Sequence, residues 1–193
     1  MTTKYKIGFT RPALLRETVL VAQVYCELED WERAKYAVLS QNLFQARTQR
    51  SGNILFSEIQ SRLQLLSSEQ ITVLAADYLT DVCQLVWIIL CKRHFFIADF
   101  TLEVLIPAVS AGRYGVGYDD YGYFFNSKAD WHPELETVSE KTRSNARQTL
   151  FQMMRQCNII NEANQFTIQM ISSAVQTCCS ESDLAFIPGA IRL

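Results

Sequence analysis

Apolar side chains recur at helical spacing through most of the chain. Thr10, followed by Arg11 and Pro12, reads as an N-cap with proline in the first turn, so a helix is expected over 10–26. Val19, Val21, Ala22 and Tyr25 would face inward on it. Asp30 caps a second helix reaching about Ser40, where Trp31, Ala34, Val38 and Leu39 share a face. A third is expected over 43–65. At about 100° per residue, Leu55, Phe56, Ile59, Leu63 and Leu66 fall on one arc of it, with Arg47 and Arg50 outside. Ser67 and Gln70 form a capping box for a short helix to Ala76. Thr80 or Asp81 then opens a long apolar helix, and a further helical stretch runs to about Ala111. Pro107 inside that stretch predicts a kink or an early stop.

The segment 112–117 holds three of the chain's 7 glycines and is the clearest break, read as a flexible surface loop. It divides an N-terminal helical bundle, 5–111, from a C-terminal helical subdomain, 112–193, packed on it. In the second part, Asp119 or Asp120 caps an aromatic helix, YGYFFNSKA. The helix over 139–157 is strongly amphipathic. Ala146, Leu150, Met153, Met154 and Cys157 share its apolar face, and Lys141, Ser144, Arg147, Gln148 and Arg155 lie opposite. Ile159 and Ile160, the turn NEANQ and a helical or part-extended stretch over 166–178 complete a winged-helix-like unit. The fold class expected is all-α.

With 193 residues, 49% hydrophobic and 20% charged, the chain has enough apolar material for a globular core and lacks the signature of disorder. Its first residues carry charge with no apolar run behind them, so a cytoplasmic location is expected. The most apolar stretch, 82–91, is interrupted by Gln84 and falls short of the about 20 residues that a membrane span needs. It reads as a buried helix, and no membrane partner is expected. The 6 cysteines contain no CxxC pair, and a reducing compartment would keep them as small free hydrophobes.

No catalytic pattern emerges. The glycines at 112, 115, 117 and 122 lack the lysine of a phosphate-binding loop, and no GxSxG, HExxH or EF-hand loop occurs. His94, among aromatics, reads as packed or capping, and His132, before Pro133, as a surface residue. Asp99 and Glu103, close after Lys92 and Arg93, read as partners in structural ion pairs. A non-enzymatic protein without cofactor or metal is therefore expected.

Charge is more informative in its distribution than in its sum. The net charge is −2, yet residues 33–57 hold four bases (Arg33, Lys35, Arg47, Arg50) and no acid. Residues 141–161 hold four more (Lys141, Arg143, Arg147, Arg155), again without an acid, which leaves ten bases against twenty acids elsewhere. Segregation of this kind focuses positive potential on particular surfaces. Arg47 and Arg50, with Thr48 and Ser51 beside them, form one candidate phosphate-contacting surface. Lys141, Arg143, Arg147 and Arg155, with Gln148, form a second. Tyr114, Tyr118, Tyr121 and Tyr123 offer an alternative, a protein-docking surface.

The blocks FTRPALLRETVLVAQVY, DWERAKYAVLSQNLFQARTQRSG, SRLQLLSSEQ, LVWIILCKRHFFIADFTLEVL and HPELETVSEKTRSNARQTLFQMMRQCNII resemble, in order and spacing, the BrxA family of bacteriophage-exclusion (BREX) defence systems. The resemblance implies an all-helical protein with a core similar to the antitermination factor NusB. It also implies double-stranded DNA binding and no catalysis, alongside a methyltransferase, a phosphatase-like protein and an ATPase. Asn42, Gln45 and Arg47 match the family's block, as do Lys92, Arg93 and Asp99. A homodimer, and RNA binding by analogy with NusB, stay open.

Overall fold

The computed structural model describes residues 5–192, without the side chain of Arg192. The first four residues, read above as lacking a secretion signal, and Leu193, the end of the expected C-terminal subdomain, lie outside the described residues. The chain enters as an extended arm, 5–14, in which Tyr5, Ile7 and Phe9 are buried in alternation and Ala13 follows them inward. Helix α1 (Leu15–Leu28) therefore starts later than Thr10, the cap expected from sequence. The reason lies far away in the chain. Arg62 Nη1 donates to the carbonyls of Pro12 (3.2 Å) and Ala13 (3.0 Å), and the Ala13 amide donates to Gln156 Oε1 at 2.9 Å. Backbone groups satisfied in this way have no need of a helix.

Asp30 caps α2 (Trp31–Ser40) through a bond from the Arg33 amide, as its position before the apolar run predicted. Asn42 and Gln45 then adopt left-handed backbone (φ 47° and 54°), and the Asn42 side chain holds Ala46 by both its amide and its carbonyl. That turn delays α3 (Gln49–Leu63) to a capping box made by Thr48 and Ser51, six residues beyond the expected start. The Ser67 and Gln70 box opens α4 (Ser68–Ala75) as anticipated.

Helix α5 (Leu79–Arg93) is the centre of the molecule, with every residue from 81 to 91 buried. Its N-cap is Tyr78, two residues ahead of the expected Thr80. Gln84, the polar interruption, is a hook: its Nε2 donates to the Met170 carbonyl at 2.9 Å, and Trp87 Nε1 donates to the Phe186 carbonyl at 3.0 Å. Buried polar groups that find partners fix a unique arrangement, and here they tie the C-terminal tail to the core helix. Among the described residues no helix is long and apolar enough to cross a membrane.

His94 is extended and separates α5 from α6 (Phe95–Phe100). The expected disturbance at Pro107 takes the form of a π turn, Thr101–Leu105, between α6 and α7 (Ile106–Ser110), with the Ile106 amide bonding back five residues to Thr101. Widening the helix just before a proline relieves the clash between its ring and the preceding turn. Helix α8 (Tyr118–Ala129) is capped by Asp120, which accepts from the Gly117 amide at 2.7 Å. Its Phe124 stands edge-on to Phe96 and Phe100, with ring centroids 5.1 and 5.3 Å apart. A single-turn helix absent from the sequence reading, α9 (Pro133–Glu136), leads to α10 (Glu140–Gln156), which is capped by Ser139, the residue where that helix was expected to begin.

The tail holds β1 (Gln169–Ile171), α11 (Ser173–Cys178), α12 (Glu181–Leu184) and β2 (Ala190–Arg192), with β1 and β2 paired in parallel. The fold is all-α with this small tail sheet. Buried residues from both sides of position 112 join one continuous hydrophobic cluster.

The glycine-rich segment proves to be pinned. The Val116 amide donates to the Asn164 carbonyl (3.1 Å) and the Phe166 amide to that of Tyr114 (2.9 Å), with Gly115 between them. A Cβ on Gly115 would lie 2.2 Å from the Asn164 oxygen, a backbone atom that cannot step aside. We therefore expect Gly115→Ala to cost about 1–3 kcal/mol in urea unfolding. An unchanged midpoint would mean that this crossing is not formed in solution.

Candidate nucleic-acid interface

The first basic segment occupies the α2–α3 connection. Arg47, in the turn, and Arg50, in the first turn of α3, are both exposed, and neither has an ion-pair partner among the described residues. The amino end of α3 adds a positive dipole beneath them. A shallow groove of about 320 Å³ runs alongside between α2 and α3, lined by Glu32, Lys35, Tyr36, Gln49 and Asn53, so that one acid accompanies its lysine. Thr48 and Ser51 were expected to add phosphate contacts. Their hydroxyls are instead spent on the cap: Thr48 Oγ1 accepts from the Ser51 amide (3.1 Å), and Ser51 Oγ donates to the Thr48 carbonyl (2.7 Å).

The second segment, a single basic face in the sequence, divides into two rows on α10. Lys141 is exposed and lies in helical register with Asn145 and Gln148. Those two, with Thr142 and Thr149, line a groove of about 350 Å³ against the N-terminal arm. The other row faces α8. The Arg143 guanidinium lies 4.3 Å from the Phe125 ring centroid and donates to the Gly122 carbonyl at 3.3 Å. Arg147 stacks on Tyr118 at 4.6 Å. Arg155 reaches the turn after α10, donating to Asn164 Oδ1 at 2.7 Å, with Glu162 3.7 Å away. All three are half-buried and hold the packing of α10.

The carboxylate pair Asp99 and Glu103 converges on Lys128, at 2.8 and 2.6 Å, and Tyr5 donates its hydroxyl to Asp99. This is an ion-pair cluster, but with a lysine of α8 in place of the adjacent Lys92 and Arg93. Those two pair with Asp183 (2.7 Å) and, loosely, Glu58 (3.9 Å). His132 is not simply a surface residue: its ring stacks on Tyr5 at 3.9 Å. Burial pushes the Cys91 thiol up to about 12 and Cys157 well above its ordinary value, so neither is available as a thiolate at neutral pH. Among the described residues no group of His, Cys, Asp or Glu could hold a metal ion. Of the four tyrosines, Tyr121 is a core residue, whereas Tyr114 and Tyr123 are 89% and 77% exposed.

Two cations passed over by the charge count, Arg11 and Arg93, face a cavity on the other side of the arm together with the buried Arg62. Each is surrounded in sequence by mixed charges or apolar residues, so composition gave no signal of them.

Comparison with known proteins adds family and fold. A family model described as BrxA matches residues 3–183. Among solved structures, the crystal structure of an uncharacterized protein from Magnetospirillum magneticum is similar over 96% of each chain, with 16% identity and a TM-score of 0.78, which shows a shared fold. No match was found among curated proteins.

Proposed function

The chain belongs to the BrxA family, which makes it a BREX-associated defence protein, and from that premise we propose that it binds double-stranded DNA through the phosphate backbone. The observation that carries this reading is the pair Arg47 and Arg50, exposed and unpaired at the amino end of α3 in an acid-free stretch. Lys141 is the remaining candidate cation without an internal partner among the described residues. Arg143, Arg147 and Arg155 support the interface by fixing α10, and their residual charge adds to the local field. The role asks for no chemistry from the chain itself, in keeping with a NusB-like core that presents a surface to nucleic acid alongside the other BREX components.

Each phosphate neutralised on duplex DNA releases counterions, giving a slope of about −0.9 in log affinity against log salt. Three engaged cations predict a loss of about fortyfold between 50 and 200 mM salt. Replacing Arg47 and Arg50 together by alanine should make the slope shallower by about 2 and weaken low-salt binding about tenfold or more. Fluorescence anisotropy on a random duplex and a matched RNA, at both salts, measures this directly. A slope unaffected by the double substitution would overturn the site, and preference for the RNA would overturn the duplex reading.

A second reading, docking of another defence component, is favoured by the exposure of Tyr114, Tyr123 and Trp131, the last 81% exposed. Absence of binding to either nucleic acid would leave it standing.

A further inference from the structure

We propose that the cavity enclosed by the N-terminal arm and the carboxyl ends of α3 and α5 is a binding site for a tetrahedral oxyanion of the phosphate class. The cavity measures about 160 Å³ and is lined by Thr10, Arg11, Glu58, Arg62, Arg93 and His94, with arm backbone closing one side. At about 30 Å³ per water it has the room of about five waters, enough for an oxyanion and part of its hydration.

The charge is unbalanced. Three arginines and one carboxylate line the cavity, and Glu58 is engaged mainly by Arg62, at 2.9 Å, with Arg93 at 3.9 Å. The side chain of Arg62 is only 2% exposed. Its Nε and Nη1 serve Glu58 and the arm carbonyls, which leaves Nη2 without a protein acceptor among the described residues. Arg62 and Arg93 sit in the last turns of their helices, where cations offset the carbonyl ends. That accounts for about half a charge per helix, so about one positive charge remains uncompensated around the cavity.

The donors come from three elements, the arm, α3 and α5, and so approach from different directions. A planar carboxylate is matched by a coplanar fork, whereas converging donors suit the tetrahedral set of acceptors on a phosphate or sulfate. His94 stands beside them with its pKa pushed down to about 4, by burial first and then by Arg62 and Arg93, against the pull of Glu58. It is neutral at physiological pH and can donate one N–H.

This site is separate from the proposed DNA surface. Arg62 lies twelve residues along α3 from Arg50, about 18 Å at the helical rise, so variants at one end leave the other in place. The protein has only 2 histidines, which makes proton NMR of their rings a direct reporter. Sulfate stays dianionic through the titration, and chloride at equal ionic strength controls for screening. In sulfate the His94 midpoint should rise by about one unit or more, which by linkage means about tenfold tighter anion binding to the imidazolium form. His132, stacked on Tyr5, reports any global change.

Arg11→Gln and Arg93→Gln, each confirmed folded by circular dichroism, should weaken sulfate binding about tenfold or more while leaving the anisotropy slope on DNA as in the parent. Repeating the titration with inorganic phosphate, a nucleoside monophosphate, and short duplexes with and without a 5′-phosphate identifies the source of the oxyanion. An identical His94 titration in sulfate and chloride overturns the proposal, as does a sulfate shift that persists in both variants. Loss of DNA binding in Arg47→Ala/Arg50→Ala with the sulfate shift intact would show the two sites to be independent.

Discussion

Arg62→Ala is expected to destabilise the protein by about 3–5 kcal/mol, the range for breaking a buried ion pair from one side. The guanidinium joins two parts of the molecule: its own helix through Glu58 (2.9 Å), and the arm through the carbonyls of Pro12 and Ala13. Burial pulls its pKa down and Glu58 pulls it back up, so it stays charged at neutral pH. Removing it strands two kinds of group. Glu58 is a quarter exposed and can turn toward water or Arg93, so its share of the loss is small. The Ala13 carbonyl has no such relief, since Ala13 is fully buried, and an unsatisfied buried group costs about 1–3 kcal/mol. Detachment of the arm would also uncover Tyr5, Ile7 and Phe9, which are packed in the core. Arg62→Lys keeps the charge but cannot reach carboxylate and carbonyls together, so an intermediate loss is expected. Urea unfolding of the three proteins tests this. A loss below about 1 kcal/mol for the alanine variant would mean that the arm is held by its apolar side chains alone.

The contrast between Asp30 and Thr10 shows where the sequence was legible. Asp30, and Ser67 with Gln70, cap the helices assigned to them, because a cap acts within four residues and its signal is local. The Thr10-Arg11-Pro12 signal was equally local and failed, since an arginine 50 residues away takes the Pro12 carbonyl. The late start of α3 has a smaller cause of the same kind, the left-handed turn at Asn42 and Gln45. At the candidate interface, charge counting found Arg47, Arg50 and Lys141 in exposed positions. It could not separate them from Arg143 and Arg147, whose partners are rings on α8, about 20 to 30 residues earlier in the chain. Net charge along a segment reports how many cations exist, whereas their availability depends on what packs beside them.

The position of His94 predicts a specific acid sensitivity. Half-buried and facing Arg62 and Arg93, with Glu58 the one acid that pulls the other way, it titrates at about 4 in the folded protein. In the unfolded chain it titrates at the ordinary value of about 6.5. Between those values the unfolded chain binds a proton that the folded protein refuses, so stability rises with pH across the window. The contribution is complete above pH 6.5 and falls away as the pH drops toward 4, by about 3 kcal/mol in all. Asp183 and Asp120 act in the same direction but lower. Burial opposes the charge of each, yet the lysine and Gln70 beside Asp183, and Arg113 with the Gly117 amide beside Asp120, hold both below the usual carboxylate value. Their contributions are lost only below about pH 4, after the histidine step. Urea unfolding of the parent and of His94→Gln at a series of pH values between 7 and 4 separates the two. The parent should lose about 1.4 kcal/mol per pH unit in the middle of the window, and the variant, which has nothing to protonate at this position, should stay nearly flat until the carboxylates begin to titrate. Parallel profiles for the two proteins would show that the cavity admits enough water to keep the imidazole ordinary, and that the effect of Arg62 and Arg93 on it is weaker than their positions imply.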